Sequence, residues 1–209
     1  MDARQPVHFL DRSPRITLDP EFTGYARSVT DPGMSILAAV ETIGETLHRD
    51  MTFDATATTV QTTAMEAFQN RHGVCQDFTH IMISCLRGIG IPAGYVSGFL
   101  RTIPPEGSER LEGADAMHAW VRAWCGIEIG WVEYDPTNAL RVGQDHIVIA
   151  RGRDWVAVDK PPGVPAGPSL DNATECATYR VARALRRLET TDDDEKDEEE
   201  EGHSWWGGD

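Results

Sequence analysis

Gly73-Val74-Cys75-Gln76-Asp77-Phe78-Thr79-His80-Ile81-Met82-Ile83-Ser84-Cys85-Leu86-Arg87-Gly88-Ile89-Gly90-Ile91-Pro92 is the stretch that decides how this chain folds. Within it Phe78, Ile81, Met82, Cys85, Leu86 and Ile89 stand at offsets 0, 3, 4, 7, 8 and 11, the strongest helical periodicity in the sequence. Gly88, Gly90 and Pro92 end that helix. Cys75 therefore lies in its first turn, directly after Gly73-Val74, whereas Cys85 lies mid-helix on the apolar face and reads as inert core.

On the N-terminal side the pattern is helical. Ile36, Leu37, Val40, Ile43 and Leu47 bury one face of a helix, and a shorter helix is expected around residues 21–29. Thr63 with Glu66 three residues later reads as a capping box, starting a helix that should stop near His72-Gly73. Residues 1–18, polar with Pro6 and Pro14, are expected to be an extended lead-in with little structure of their own. On the C-terminal side the texture turns to Tyr, Val, Phe, Trp and Ile between Gly and Pro, which predicts strands near 93–101, 117–125, 128–135 and 146–150, with another possible near 155–158. Helices followed by strands give an α+β fold with an antiparallel sheet. A Pro- and Gly-rich connector follows at 160–168, residues 174–188 suit either helix or edge strand, and 189–209 form an acidic tail expected to be disordered. The span 19–188 is thus expected to be one catalytic domain.

Composition narrows the function. The chain has 209 residues, 40% hydrophobic and 25% charged, the balance of a globular protein. Of the formal charge of -15, residues 192–201 carry -8, which leaves -7 on the rest. A body of that sign offers no basic footprint for nucleic acid or anionic lipid. No signal-peptide stretch and no run of eighteen apolar residues occurs, so a cytoplasmic, membrane-free protein is expected. The four cysteines, Cys75, Cys85, Cys125 and Cys176, form no C-x-x-C pair and are expected to be free thiols. His72, Cys75, His80 and Cys85 lack the paired short spacings of structural zinc sites, so neither metal nor cofactor is expected.

Unpaired backbone N–H groups and the positive end of a helix dipole favour thiolate over thiol, and the same N–H groups can hold the oxyanion of a tetrahedral intermediate. A cysteine in the first turn of a helix is therefore a candidate nucleophile. Its base is His118, which opens the strand at 117–125. If that strand and 128–135 form a hairpin with Gly126-Ile127 as a two-residue turn, facing residues have numbers summing to 253 and His118 stands opposite Asp135. The next pairs are Trp120 with Glu133 and Arg122 with Trp131. Asp135 precedes Pro136-Thr137-Asn138 and so also reads as a turn-starting aspartate; facing an imidazole, it becomes the group that fixes the tautomer. His80 points to another helical face, and no acid on a facing strand can be placed for His72 or His146. Gln69 and Gln76 are candidates for oxyanion or substrate contacts, and Trp120 and Trp131 for an acyl-binding groove, against surface and core readings respectively.

Three segments in order carry a resemblance. Gly73-Val74-Cys75-Gln76-Asp77-Phe78 with the following Arg87 to Gly98 run, Met117-His118-Ala119-Trp120-Val121, and Gly130-Trp131-Val132-Glu133-Tyr134-Asp135-Pro136-Thr137-Asn138 closely resemble the nucleophile, histidine and aspartate segments of the bacterial transglutaminase-like family. His146 to Trp155 is similar to that family's downstream strand and loop. The resemblance implies a papain-like transglutaminase core, a Cys-His-Asp triad on Cys75, His118 and Asp135, and a strand within 174–188. It further implies acyl transfer on a peptide or protein substrate. Hydrolysis of the cysteine protease or amidase type is the leading expectation, with transamidation and a catalytically silent peptide-binding domain as alternatives.

Overall fold

Helix ends are set by local side chains. In the computed structural model, which describes residues 5–58, 62–103, 107, 109–114 and 117–154, Asp19 caps α1 (Pro20–Val29) and Ser35 caps α2 (Ile36–Asp50), each accepting a first-turn N–H. The Thr63/Glu66 capping box opens α3 (Ala64–Asn70), which ends at Arg71 in the left-handed conformation, φ 59°. Two short strands, β1 (Thr52–Phe53) and β2 (His72–Gly73), pair in parallel and deliver the chain into α4 (Cys75–Gly88).

The sheet comes after the helices. Strands β3 (Ala93–Leu100), β4 (His118–Trp124), β5 (Trp131–Asp135), β6 (Leu140–Arg141) and β7 (His146–Gly152) form one antiparallel sheet in the order β6-β5-β4-β3-β7. The architecture is the expected α+β, with helices packed on an antiparallel sheet. β6 and β7 stand at opposite edges although only residues 142–145 separate them. Four steps between strands in a flat sheet need about 19 Å, and the five residue steps from Arg141 to His146 reach at most about 18 Å. The sheet must therefore curl, and its curl brings Trp120 of β4 and His146 of β7 into ring contact at 5.1 Å past the intervening β3.

Phe78, Ile81, Met82, Cys85 and Leu86 of α4 are buried as the periodicity predicts, against Ala93, Tyr95, Ala119, Val121, Ala123 and Tyr134 of the sheet. The polar face of α4 is buried too. Arg87, 4% exposed, donates to Ala93 O (2.9 Å), Asp11 O (2.7 Å), Ser13 Oγ (3.1 Å) and Arg153 O. Residues 5–18 are accordingly more than an extended lead-in: they hold a 3₁₀ turn (Pro6–Phe9) and bury Phe9 and Ile16 while covering that guanidinium. Proline spacing and polarity hid this, because the anchor is a distant arginine. The expected strands at 155–158 and 174–188, the connector and the acidic tail lie outside the described residues.

The β4–β5 hairpin corrects the predicted register. Val121 faces Tyr134, Arg122 faces Glu133 and Trp124 faces Trp131, so facing numbers sum to 255. A longer loop replaces the two-residue turn: Cys125 N–H donates to Gly130 O (2.8 Å), Gly130 N–H to Gly126 O (2.7 Å), and both glycines take positive φ, 93° and 77°. The slip is two residues, so every side chain keeps its face; a slip of one would have turned His118 and Asp135 to opposite sides. The predicted pairs survive as diagonal contacts, with Trp120 Nε1–H donating to Glu133 (2.8 Å) and the Arg122 guanidinium over the Trp131 ring (3.9 Å).

Two helical glycines give a stability test of this packing. A Cβ on Gly44 of α2 would meet the buried Tyr134 ring at 2.1 Å, whereas a Cβ on exposed Gly24 of α1 meets nothing within 4 Å. Gly24→Ala is expected to stabilise by about 0.5–1 kcal/mol through helix propensity, and Gly44→Ala to destabilise by about 1–3 kcal/mol through overpacking. Urea unfolding of the two variants reads both signs.

Candidate active site

The start of α4 is built around a buried acid. Asp77, 1% exposed, turns back so that Oδ2 accepts the Val74 N–H (2.9 Å) and the Thr58 hydroxyl (2.6 Å). Gly73 makes room, since a Cβ there would lie 2.8 Å from Asp77 Cβ. The N–H groups of Asp77 and Phe78 go to Val74 O. Those of Cys75 and Gln76 have no partner among the described residues, so two backbone donors stay open beside the Cys75 sulfur. That sulfur is half-buried, 4.0 Å from Met117 O, and opens on a cleft of about 640 Å³ also lined by Gln76, Tyr95, Gly113 and His118.

His118 and Asp135 meet as diagonal neighbours across β4 and β5. His118 Nε2 and Asp135 Oδ2 are 2.8 Å apart with both side chains fully buried. Asp135 Oδ1 accepts the N–H groups of Thr137 (2.9 Å) and Asn138 (3.3 Å), so the turn-starting role and the histidine contact coexist, one on each oxygen. Burial alone would raise the Asp135 carboxyl; His118, His146 and Asn138 hold it well below the usual carboxylate range instead. Burial likewise pushes the His118 imidazolium down, but the Asp135 hydrogen bond, the Cys75 sulfur and the charge of both carry it up to about 10. With Nε2 engaged by Asp135, Nδ1 makes no hydrogen bond of normal geometry among the described residues and is the nitrogen left for Cys75. Cys85 is the contrast, fully buried with its thiol pushed up to about 12.

A strap covers the imidazole. Gly113, φ 84°, lies so close that a Cβ there would stand 2.5 Å from His118 Nδ1. Asn138 ties the strap down, accepting the Glu112 N–H (2.8 Å) and donating to Glu112 O (3.2 Å), while its Nδ2 also reaches Asp135 Oδ2 (2.8 Å). His146 is a further partner: its Nε2 lies 3.2 Å from the same Oδ2. Local spacing offers no acid on a facing strand for His146 and only a turn signal at Asn138, because neither the sheet's curl nor the strap is encoded there.

Of the other candidates, Gln76 lines the cleft. Gln69 does not: it is exposed and its amide reaches Glu21 (3.4 Å). Trp120 is fully buried under His118 and His146 with its N–H on Glu133, so it supports the site instead of lining a groove. Trp131 packs on Phe9, Trp124 and Arg122, outside the cleft. His72 bonds Asn70 O and His80 bonds Asp154 O (2.7 Å), each turned from Cys75. No helix among the described residues is long and apolar enough to cross a membrane.

The sequence pattern of the Transglutaminase-like superfamily matches residues 23–136. Uncharacterised proteins of Mycobacterium tuberculosis and Mycobacterium bovis are 39% identical to this chain over 156 residues, 70% of it and 49% of their own length. One of Mycobacterium leprae is 38% identical over 113 residues, 53% of this chain and 38% of its own. The chain thus spans about half the length, or less, of the curated relatives it matches. Among solved structures, a candidate cysteine protease from Cytophaga hutchinsonii superposes with a TM-score of 0.58 at 26% identity, covering 71% of this chain and 47% of that one. The matched span holds α4, β4 and β5 with Cys75, His118 and Asp135, and the chain belongs to the transglutaminase-like superfamily.

Proposed function

We propose that the chain is a thiol-dependent acyl-transfer enzyme acting on peptide or glutamine side-chain amides, with Cys75 as nucleophile, His118 as proton carrier and Asp135 as orienter, and with water as the acceptor. The sealed Asp135–His118 pair, whose second nitrogen is left for the sulfur opening on the same cleft, carries this proposal. Its chemistry begins with attack of the Cys75 sulfur on the amide carbon, the open N–H groups of Cys75 and Gln76 receiving the oxyanion. His118 Nδ1–H then protonates the departing amine, the C–N bond breaks and a thioester remains. Once the sulfur is acylated, its charge no longer supports the imidazolium. The ring can then take a proton from water, whose oxygen attacks the thioester and releases acid and thiolate.

Turnover tests the reading directly. Intact masses of glutamine-containing peptides incubated with the protein, with and without an added amine, are expected to show hydrolysed product in both, lost completely in Cys75→Ala. An amine adduct would move the assignment to transamidation, and no product from either chain would leave a silent binding domain. Asp135→Asn is expected to lower kcat by about a hundred- to ten-thousand-fold with a smaller change in KM.

The buried pair also makes a pH prediction. His118 is raised from 6.5 to about 10, so its stabilising contribution is full below about 6.5 and is lost as pH climbs towards 10. Asp135 is lowered, so its contribution is present above the ordinary carboxylate value and lost as pH falls towards the lowered one. The stability gap between wild type and Asp135→Asn, from urea unfolding, is therefore expected to be widest between about pH 4 and 6.5. It should narrow on both sides.

A further inference from the structure

We infer that His146 is a positioning residue of this site, holding Asp135 Oδ2 from the β7 side so that the carboxylate is clamped between two imidazoles. The inference rests on the proposed roles of Cys75, His118 and Asp135. His146 comes to Asp135 from β7, the edge strand that β3 separates from β4, and its side chain is only 1% exposed. An imidazole Nε2–H donates to a carboxylate whichever way the other nitrogen is protonated. Oδ2 therefore takes three donors: His118 at 2.8 Å, Asn138 Nδ2 at 2.8 Å and His146 at 3.2 Å.

The ring is packed against aromatic neighbours. Its edge meets Trp120 at 5.1 Å and 83°, and it stands 6.5 Å from the His118 ring. Gly98 admits this packing, since a Cβ there would strike Trp120 Cη2 at 2.4 Å and Ile147 O at 2.1 Å, beside a register shift between Ser97 and Gly98. The other nitrogen, His146 Nδ1, is buried and has no hydrogen-bond partner among the described residues. A residue serving only to fill this space would be apolar and would leave no orphaned polar atom. What the histidine adds over a leucine is the one bond to Oδ2. That bond keeps the lone pair facing His118 from swinging when the imidazole gives up and regains its proton.

The test is the rate of Cys75 alkylation by iodoacetamide in the full chain, located by peptide mapping, for wild type, His118→Ala and three His146 variants. His146→Gln places an amide N–H near the lost Nε2; His146→Asn falls short of it; His146→Leu fills volume without a donor. Expected are a wild-type rate well above His118→Ala, a loss of about tenfold in His146→Leu and His146→Asn, and a rate near wild type in His146→Gln. If His146→Leu does not fold, the Gln and Asn variants decide between themselves. Wild-type rates in folded His146→Leu and His146→Asn, or no recovery in folded His146→Gln, overturn the inference and leave the site reading intact. Equal rates in wild type and His118→Ala overturn the site reading and this inference with it.

Discussion

One fully buried carboxylate organises the site. Leaving an ionised Asp135 in the interior without partners would be costly, and the sheet answers with five donors spread over both oxygens. These donors come from β4, from the turn after β5 and from the first residue of β7. The turn, the curl of the sheet and the strap over His118 are thereby tied to a single charge. The imidazole it holds has Nε2 on that carboxylate and, among the described residues, no hydrogen bond of normal geometry on Nδ1.

The start of α4 follows the same logic on a smaller scale. Asp77 is buried, and the N–H of Val74 and the hydroxyl of Thr58 satisfy it. By turning back over Gly73 it caps the helix, and the N–H groups of Cys75 and Gln76 are left without a partner among the described residues. Two buried aspartates thus set two orientations: Asp77 that of the helix end carrying the sulfur, and Asp135 that of the ring facing it. The core between them, from Phe78 to Leu86 against Ala119, Val121 and Ala123, fixes the distance from one to the other.

Much of this was legible in the sequence because it depends on period and local chemistry. The helical stripe from Phe78 to Ile89, the Thr63/Glu66 capping box and the alternation of β4 and β5 each act within a few residues. The observed register differs by two residues from that of a two-residue turn, yet His118 and Asp135 still share a face, since an even slip preserves the pleat. What escaped depends on contacts between distant segments. The anchoring of residues 5–18 follows from Arg87, the arrival of His146 at Asp135 from a sheet curled past flatness, and the strap from both sides of the Asn138 amide. Trp120 and Trp131 lie away from the expected groove for a related reason: aromatic strand residues announce burial, and only the fold decides under what.

In the proposed mechanism Asp135 acts on Cys75 through His118 and by no separate route. A double-mutant cycle on kcat/KM for the hydrolysed peptide, with His118→Ala, Asp135→Asn and the double variant, tests it most directly. If the two work as one unit, adding Asp135→Asn to His118→Ala changes the rate by less than about threefold, although Asp135→Asn alone is severe. Full additivity of the two losses would mean that Asp135 acts by a route separate from His118.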